Sequence, residues 1–334
     1  MEYNIRFTLD SDLKNDFNDL NKYHLNSDYF NSVDSEIIQK YKYRFDGIKK
    51  GDKLGETGMN ILEIPARKLT NTSNKEYKEY KEYNVKCPLC LSLESDKAIY
   101  PFNLEKSILW RGYLIRPNGF PYFRLHYLIQ SSDHNEHTNR GTQNDVHLNP
   151  NIISDILTFL KIMNKGSALF NGWIGNSLAH MHFHYTDMNF PIKQKLNKYL
   201  FNKEIIKTSN GSTIFIYKDT SHNCKNFIFI KGNNPSNDVF RYLQYLNSIN
   251  LLYNLLMYYN NSTFYIFIYI RKKEVDEYKF NFGATNLSGL TTLSENNLNL
   301  YKENKNNFLE LIENYCSKTV IKMDLEEVKK IFSS

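Results

Sequence analysis

Three histidines, His180, His182 and His184, stand at alternate positions in the segment NGWIGNSLAHMHFHYT, residues 171–186. On an extended strand residues i, i+2 and i+4 share one face, so this spacing lines three imidazoles side by side. The whole chain has nine histidines, and three of them within five residues exceed chance placement. Such a row can ligate a metal, can supply a nucleophile with supporting groups, or can be structural. The residues just before it favour the second reading. Asn171, Gly172, Gly175 and Ser177 are small or amide-bearing, and small residues let backbone N–H groups approach a phosphate closely. A neutral imidazole beside such a cradle is nucleophilic near neutral pH. It forms a phosphoramidate that water or a second phosphate can open. Arg116, Arg124, Lys193 and Lys195 are candidate phosphate-neutralising cations, each of which would also fit a solvated face, and His126 and His137 are candidates to line the site.

The elements that must hold these residues can be read around them. Ala98–Phe102, Trp110–Arg116 and Arg124–Ser131 read as short strands, with a turn at Pro117-Asn118-Gly119. Asn151–Asn164 has helical apolar spacing behind Pro150, and Ala168–Trp173 and Ala179–Thr186 read as two more strands. The grammar then repeats, with strands at Thr213–Tyr217 and Asn226–Lys231 and a long helix over Val239–Tyr259. A strand at Thr263–Arg271 and a helix at Lys305–Tyr315 complete it. This predicts an α+β protein of two packed halves, each a mostly antiparallel sheet with helices. The catalytic half is 1–205, including a polar N-terminal region and an inserted KEYKEYKEY repeat at 75–83, and the second half is 206–334.

Composition bounds the rest. The chain has 334 residues, 41% hydrophobic and 23% charged, which is globular and argues against wholesale disorder. Lys+Arg is 42 against 36 Asp+Glu, a net charge of +6, so dedicated nucleic-acid wrapping is not indicated and a basic pocket for a phosphorylated small molecule fits. The N-terminus has no apolar signal core, and the apolar runs at 251–259 and 264–270 fall well short of the roughly 20 residues of a membrane helix, so a cytoplasmic protein without a membrane partner is expected. Cys87 and Cys90 form a C-x-x-C, whereas Cys224 and Cys316 read as lone thiols.

His180-Met181-His182-Phe183-His184 resembles the signature of the histidine-triad superfamily. More closely, the chain resembles the branch of galactose-1-phosphate uridylyltransferase, diadenosine tetraphosphate phosphorylase and GDP-L-galactose phosphorylase. Cys87-Pro88-Leu89-Cys90, the Arg116–His126 segment RPNGFPYFRLH, Ser131–His134, Phe190–Lys193 and Phe282–Gly289 (FGATNLSG) carry the likeness, which extends over about Val85–Gly289. It implies a HIT-like fold with His182 as the nucleophile, its ring held by a backbone carbonyl. It also implies that Ser177 contacts phosphate and that His184 lies at the bridging oxygen or leaving group. The same resemblance implies a structural zinc on Cys87, Cys90, His134 and His180, two thiolates and two imidazoles closing a tetrahedron. A metal held by His180, His182 and His184 together is the competing reading.

The implied activity is that of a nucleotidyltransferase or phosphorylase. It would cleave a nucleoside diphosphate sugar or dinucleoside polyphosphate at the α-phosphorus through a nucleotidyl-histidine intermediate, and a homodimer is compatible with this. The branch usually has Gln where this chain has His184, so a hydrolase using the same nucleophile is the alternative. A non-catalytic nucleotide or RNA sensor is the second. Only His222 lies in the second half, so the further metal site of the uridylyltransferase cannot be assembled and a strict galactose role is disfavoured.

Overall fold

The structure, a computed structural model, describes residues 5–25, 49–54, 59–63, 107–118, 123, 125–132, 149–172, 180–194, 196, 203–217, 226–271, 282–293 and 295–333. The KEY repeat and the expected strand at Ala98–Phe102 lie outside the described residues. So do Cys87, Cys90, Arg124, His134, His137, Gly175, Ser177, Lys195, His222 and Cys224.

In chain order the described strands are β1 (Ile5–Phe7), β2 (Lys49–Leu54), β3 (Met59–Glu63), β4 (Ser107–Trp110), β5 (Tyr113–Pro117), β6 (His126–Ser131), β7 (Ser167–Asn171), β8 (His182–Thr186), β9 (Lys203–Lys207), β10 (Thr213–Tyr217), β11 (Phe227–Gly232), β12 (Leu252–Asn260), β13 (Thr263–Arg271) and β14 (Leu290–Leu293). The fold is α+β, built on one large sheet in the order β1-β4-β5-β6-β8-β7-β12-β13-β11-β10-β9. Every pairing in it is antiparallel except β1 with β4. Strands of both expected halves belong to this sheet, and the β7–β12 ladder, with Phe170 facing Leu255, joins them. A small second sheet has the order β14-β3-β2.

Helices α1 (Leu13–Leu25), α2 (Pro150–Met163), α3 (Pro191–Gln194), α4 (Ser236–Ser248), α5 (Ala284–Leu287), α6 (Glu295–Glu303), α7 (Phe308–Thr319) and α8 (Leu325–Ser333) divide between the two faces. One face packs α1, α2, α4 and α8 over Ile115, Ile129, Phe183, Leu255 and Ile268. On the other face Phe190, Phe229, Phe267, Leu287, Phe308 and Ile312 form a second core beneath α5 and α7. Central strands buried on both faces read as continuous apolar runs rather than as alternation. That is why β12 and β13 are so greasy.

The same physics overturns the long helix expected over Val239–Tyr259. Helix α4 ends at Ser248, Asn250 takes a left-handed φ of 59°, and Leu252–Asn260 is a strand in the middle of the sheet. An apolar run of this length fits a buried helix or a buried strand equally by periodicity. The expected strand Trp110–Arg116 is also corrected, because a tight turn at Arg111 and Gly112 splits it between β4 and β5. By contrast α2 starts and stops on its sequence signals. The Asn149 side chain accepts from the Asn151 N–H, Pro150 opens the helix, and Asn164 closes it at φ 51°. Buried Cys316 is disulfide-bonded, where the sequence reading has a lone thiol. Among the described residues no helix is long and apolar enough to cross a membrane.

Candidate functional site

Strand β8 carries His182 and His184 between β6 and β7, with Gln130 facing His182, and Leu128 and Leu169 facing His184. Directly paired residues project to the same side of a sheet. One face therefore presents His182, His184, His126, Gln130 and, a strand further out, Arg116, which faces Leu128. The alternate residues Phe183 and Tyr185 enter the helix-packed core on the other side. Within the H-φ-H-φ-H pattern Phe183 thus enters the helix-packed core, while His182 and His184 face the opposite side of the sheet. His182, His126 and Arg116 are each at most 5% exposed, while His184 is half-buried.

His182 Nδ1 lies 2.7 Å from the carbonyl oxygen of His180. A carbonyl only accepts, so Nδ1 carries the proton and the lone pair of the neutral ring sits on Nε2. The backbone thereby sets the tautomer that a nucleophilic imidazole needs. The His184 ring stands edge-on to His182, centroids 5.0 Å apart. His184 Nδ1 is 2.9 Å from His126 Nε2, which lies 3.0 Å from Asn118 Nδ2. This ring-to-ring hydrogen bond gives a path along which a proton can move. Phe123 packs on His126 at 5.4 Å and on Phe190 at 6.0 Å, closing the apolar side of the pair.

His180 sits just ahead of β8, and its Nε2 is 2.9 Å from the Ser131 carbonyl oxygen. That contact protonates Nε2 and places the lone pair on Nδ1, the arrangement in which a histidine ligand is oriented by a backbone partner. Among the described residues no cluster of three His, Cys, Asp or Glu side chains could hold a metal. His180, His182 and His184 in particular do not converge on one point, because two of the rings turn to separate backbone carbonyls.

Asn171 ends β7 beside this row, and Gly172 follows it. The Asn171 Oδ1 accepts from the Ala284 N–H at 2.8 Å and from Asn254 Nδ2 at 3.3 Å. Asn254 in turn accepts from Arg271, fully buried, whose guanidinium also donates to the Phe282 carbonyl and the Tyr315 hydroxyl. The Phe282–Gly289 segment therefore docks against the end of β7 through a buried polar network. A Cβ on Gly283 would meet Asn171 Oδ1 at 2.5 Å, so the close approach needs glycine there.

Lys193 is set apart from the histidines. It lies on α3 with its ammonium 4.4 Å over the Tyr258 ring, toward the Ser167–Thr186 end of the strands. Sequence reasoning missed Gln130. It is fully buried, and neither its Nε2 nor its Oε1 finds a hydrogen-bond partner among the described residues. No local signal in the sequence singles it out, because its place opposite His182 is set by the pairing of β6 with β8.

No protein family matches the sequence, and no curated protein matches it. Among solved structures the chain is similar to yeast Ap4A phosphorylase Apa2 in complex with AMP, at 15% identity and a TM-score of 0.46, covering 84% of this chain and 96% of that one. The same enzyme in complex with Ap4A gives 13% identity and a TM-score of 0.45, covering 84% and 97%. A DUF4931 family protein from Bacillus cereus gives 14% identity and a TM-score of 0.36, covering 60% and 96%. These values are low, and the function proposed rests on the site's own residues.

Proposed function

We propose that this protein is a nucleotidyl-transfer enzyme that cleaves a nucleoside diphosphate sugar or a dinucleoside polyphosphate at its α-phosphorus. The observation that carries the reading is the 2.7 Å contact from His182 Nδ1 to the His180 carbonyl, which places the attacking lone pair on Nε2. His182 Nε2 bonds to the α-phosphorus and the bridging P–O bond breaks. The departing phosphate or phosphorylated group takes a proton at the His184–His126 pair. A second oxygen nucleophile then opens the N–P bond and regenerates the imidazole. With little other covalent help available, the rate comes from in-line placement and charge stabilisation of the phosphoryl oxygens. Arg116 supplies a buried positive charge on this face, and Gln130 a buried amide directly opposite His182. An orphan amide in that position is satisfied when a ligand oxygen arrives. The proposal assigns phosphate contact to Asn171 and Gly172, at and just past the end of β7, and, on the sequence alone, to Gly175 and Ser177, which lie outside the described residues.

A hydrolase is the second reading, and the hydrogen-bonded pair His184–His126 favours it, since that pair can accept a proton from attacking water as readily as deliver one to a leaving group. Incubating nucleotide sugars and dinucleoside polyphosphates with and without orthophosphate separates the two. A nucleoside diphosphate product means phosphorolysis, and a monophosphate means hydrolysis. Failure to turn over any member of either substrate class would contradict both.

The proposal includes one structural zinc per chain on Cys87, Cys90, His134 and His180. The His180 tautomer supports it, because Nδ1 carries the lone pair such a ligand needs. Zinc there would tie the start of β8 to the segment before β4 and take no part in the reaction. Metal analysis should give one zinc per chain, lost in Cys87→Ser, with a lower melting temperature. Metal-free protein with an unchanged melting temperature would remove zinc from the account.

A further inference from the structure

A cavity lies away from the histidine row, at the other end of the same strands. It has a volume of about 350 Å³ and is walled by the turn after α2, by α3 with Asn189 two residues before it, and by the end of β12. Thr186 of β8 faces Ser167 there, four residues and so about 13 Å along the strand from His182. Lys193 and Lys165 line the cavity together with the amides of Asn164, Asn189, Gln194 and Asn260, and among the described residues no Asp or Glu does.

Lys193 is the unusual member. Its ammonium is half-buried and rests on the face of Tyr258 at 4.4 Å. Burial pulls it down to about 8, with no carboxylate among the described residues to offset the loss of water. A desolvated cation carries a free-energy cost until an anion or hydrogen-bond acceptor compensates it, and a ring face does so only in part. The turn opposite is held in place by its own chemistry. Asn164 and Gly166 have φ of 51° and 77°, and a Cβ on Gly166 would meet the Thr186 carbonyl oxygen at 2.7 Å. Lys165 is therefore presented to the cavity from a rigid corner.

We propose that this cavity is a second anion site, taking the phosphate group of a small phosphorylated molecule. Two lysines without a carboxylate match a dianion, and the amide groups supply donors for its remaining oxygens. The site stands independently of the histidine chemistry.

The test is calorimetric titration of the full chain with inorganic phosphate and with glycerol phosphate, glycerol and acetate being the controls. The phosphates should saturate a site in the wild type that persists with the same affinity in His182→Asn. Lys193→Met keeps an apolar stem on Tyr258 but removes the charge, and it should weaken binding at least tenfold. Lys165→Gln should weaken it less. Between pH 7.5 and 9.5 phosphate monoesters stay dianionic, and binding should weaken as the pH rises through about 8 and Lys193 loses its proton. Among the described residues the other titratable groups facing the cavity are Lys165, Tyr258 and Tyr259, and burial pushes Tyr258 above its usual range, so that it stays neutral over this window. Absence of phosphate binding would overturn the proposal. So would undiminished binding in a folded Lys193→Met protein, or loss of binding in His182→Asn, which would place the phosphate at the histidines instead.

Discussion

At the scale of the residue, the site depends on which nitrogen of each imidazole carries a proton, and backbone carbonyls decide this for His180 and His182. Gln130 offers a sharp test because its two possible roles differ in sign. As an unsatisfied buried amide it costs about 1–3 kcal/mol, so Gln130→Leu should leave the melting temperature unchanged or raise it. As a ligand contact it should lower turnover about tenfold or more, the loss expected from one hydrogen bond of about 1.5 kcal/mol. A lower melting temperature with unchanged turnover would assign Gln130 to packing alone. The alternating histidines were legible because a strand's period of two is visible in five residues. Gln130 was not, since its significance appears only when β6 is laid beside β8.

At the scale of the element, Phe282–Gly289 is held to the end of β7 by the network through Asn171, Asn254 and Arg271. Gly283→Ala places a methyl group against the Asn171 amide and should destabilise the protein by about 1–3 kcal/mol, measured by urea denaturation. Adding Asn171→Ala should recover part of that loss, a coupling expected of side chains in contact. Full additivity of the two substitutions would contradict the close approach. Elements carrying local chemistry were legible before the structure: α2 announces itself with Asn149-Pro150 and ends at Asn164, and β10 and β11 are β-branched and aromatic. Leu252–Asn260 misled because burial on both faces erases the alternation by which a strand is recognised.

At the scale of the molecule, the β7–β12 ladder makes one sheet of strands that the sequence divides into two halves. Equilibrium unfolding should therefore show one transition with coincident probes, and two separated transitions would mean that the halves hold together without that ladder. The pairing partner of each strand was hidden in the sequence, because nothing local links residues 167–171 to residues 252–260.

The most direct measurement of the central claim is to mix the protein with a dinucleoside polyphosphate radiolabelled at the α-phosphorus, quench it in denaturant and map the label. The account predicts an acid-labile adduct on His182, absent in His182→Gly. A label found on another residue, or turnover that persists in His182→Gly, would contradict it.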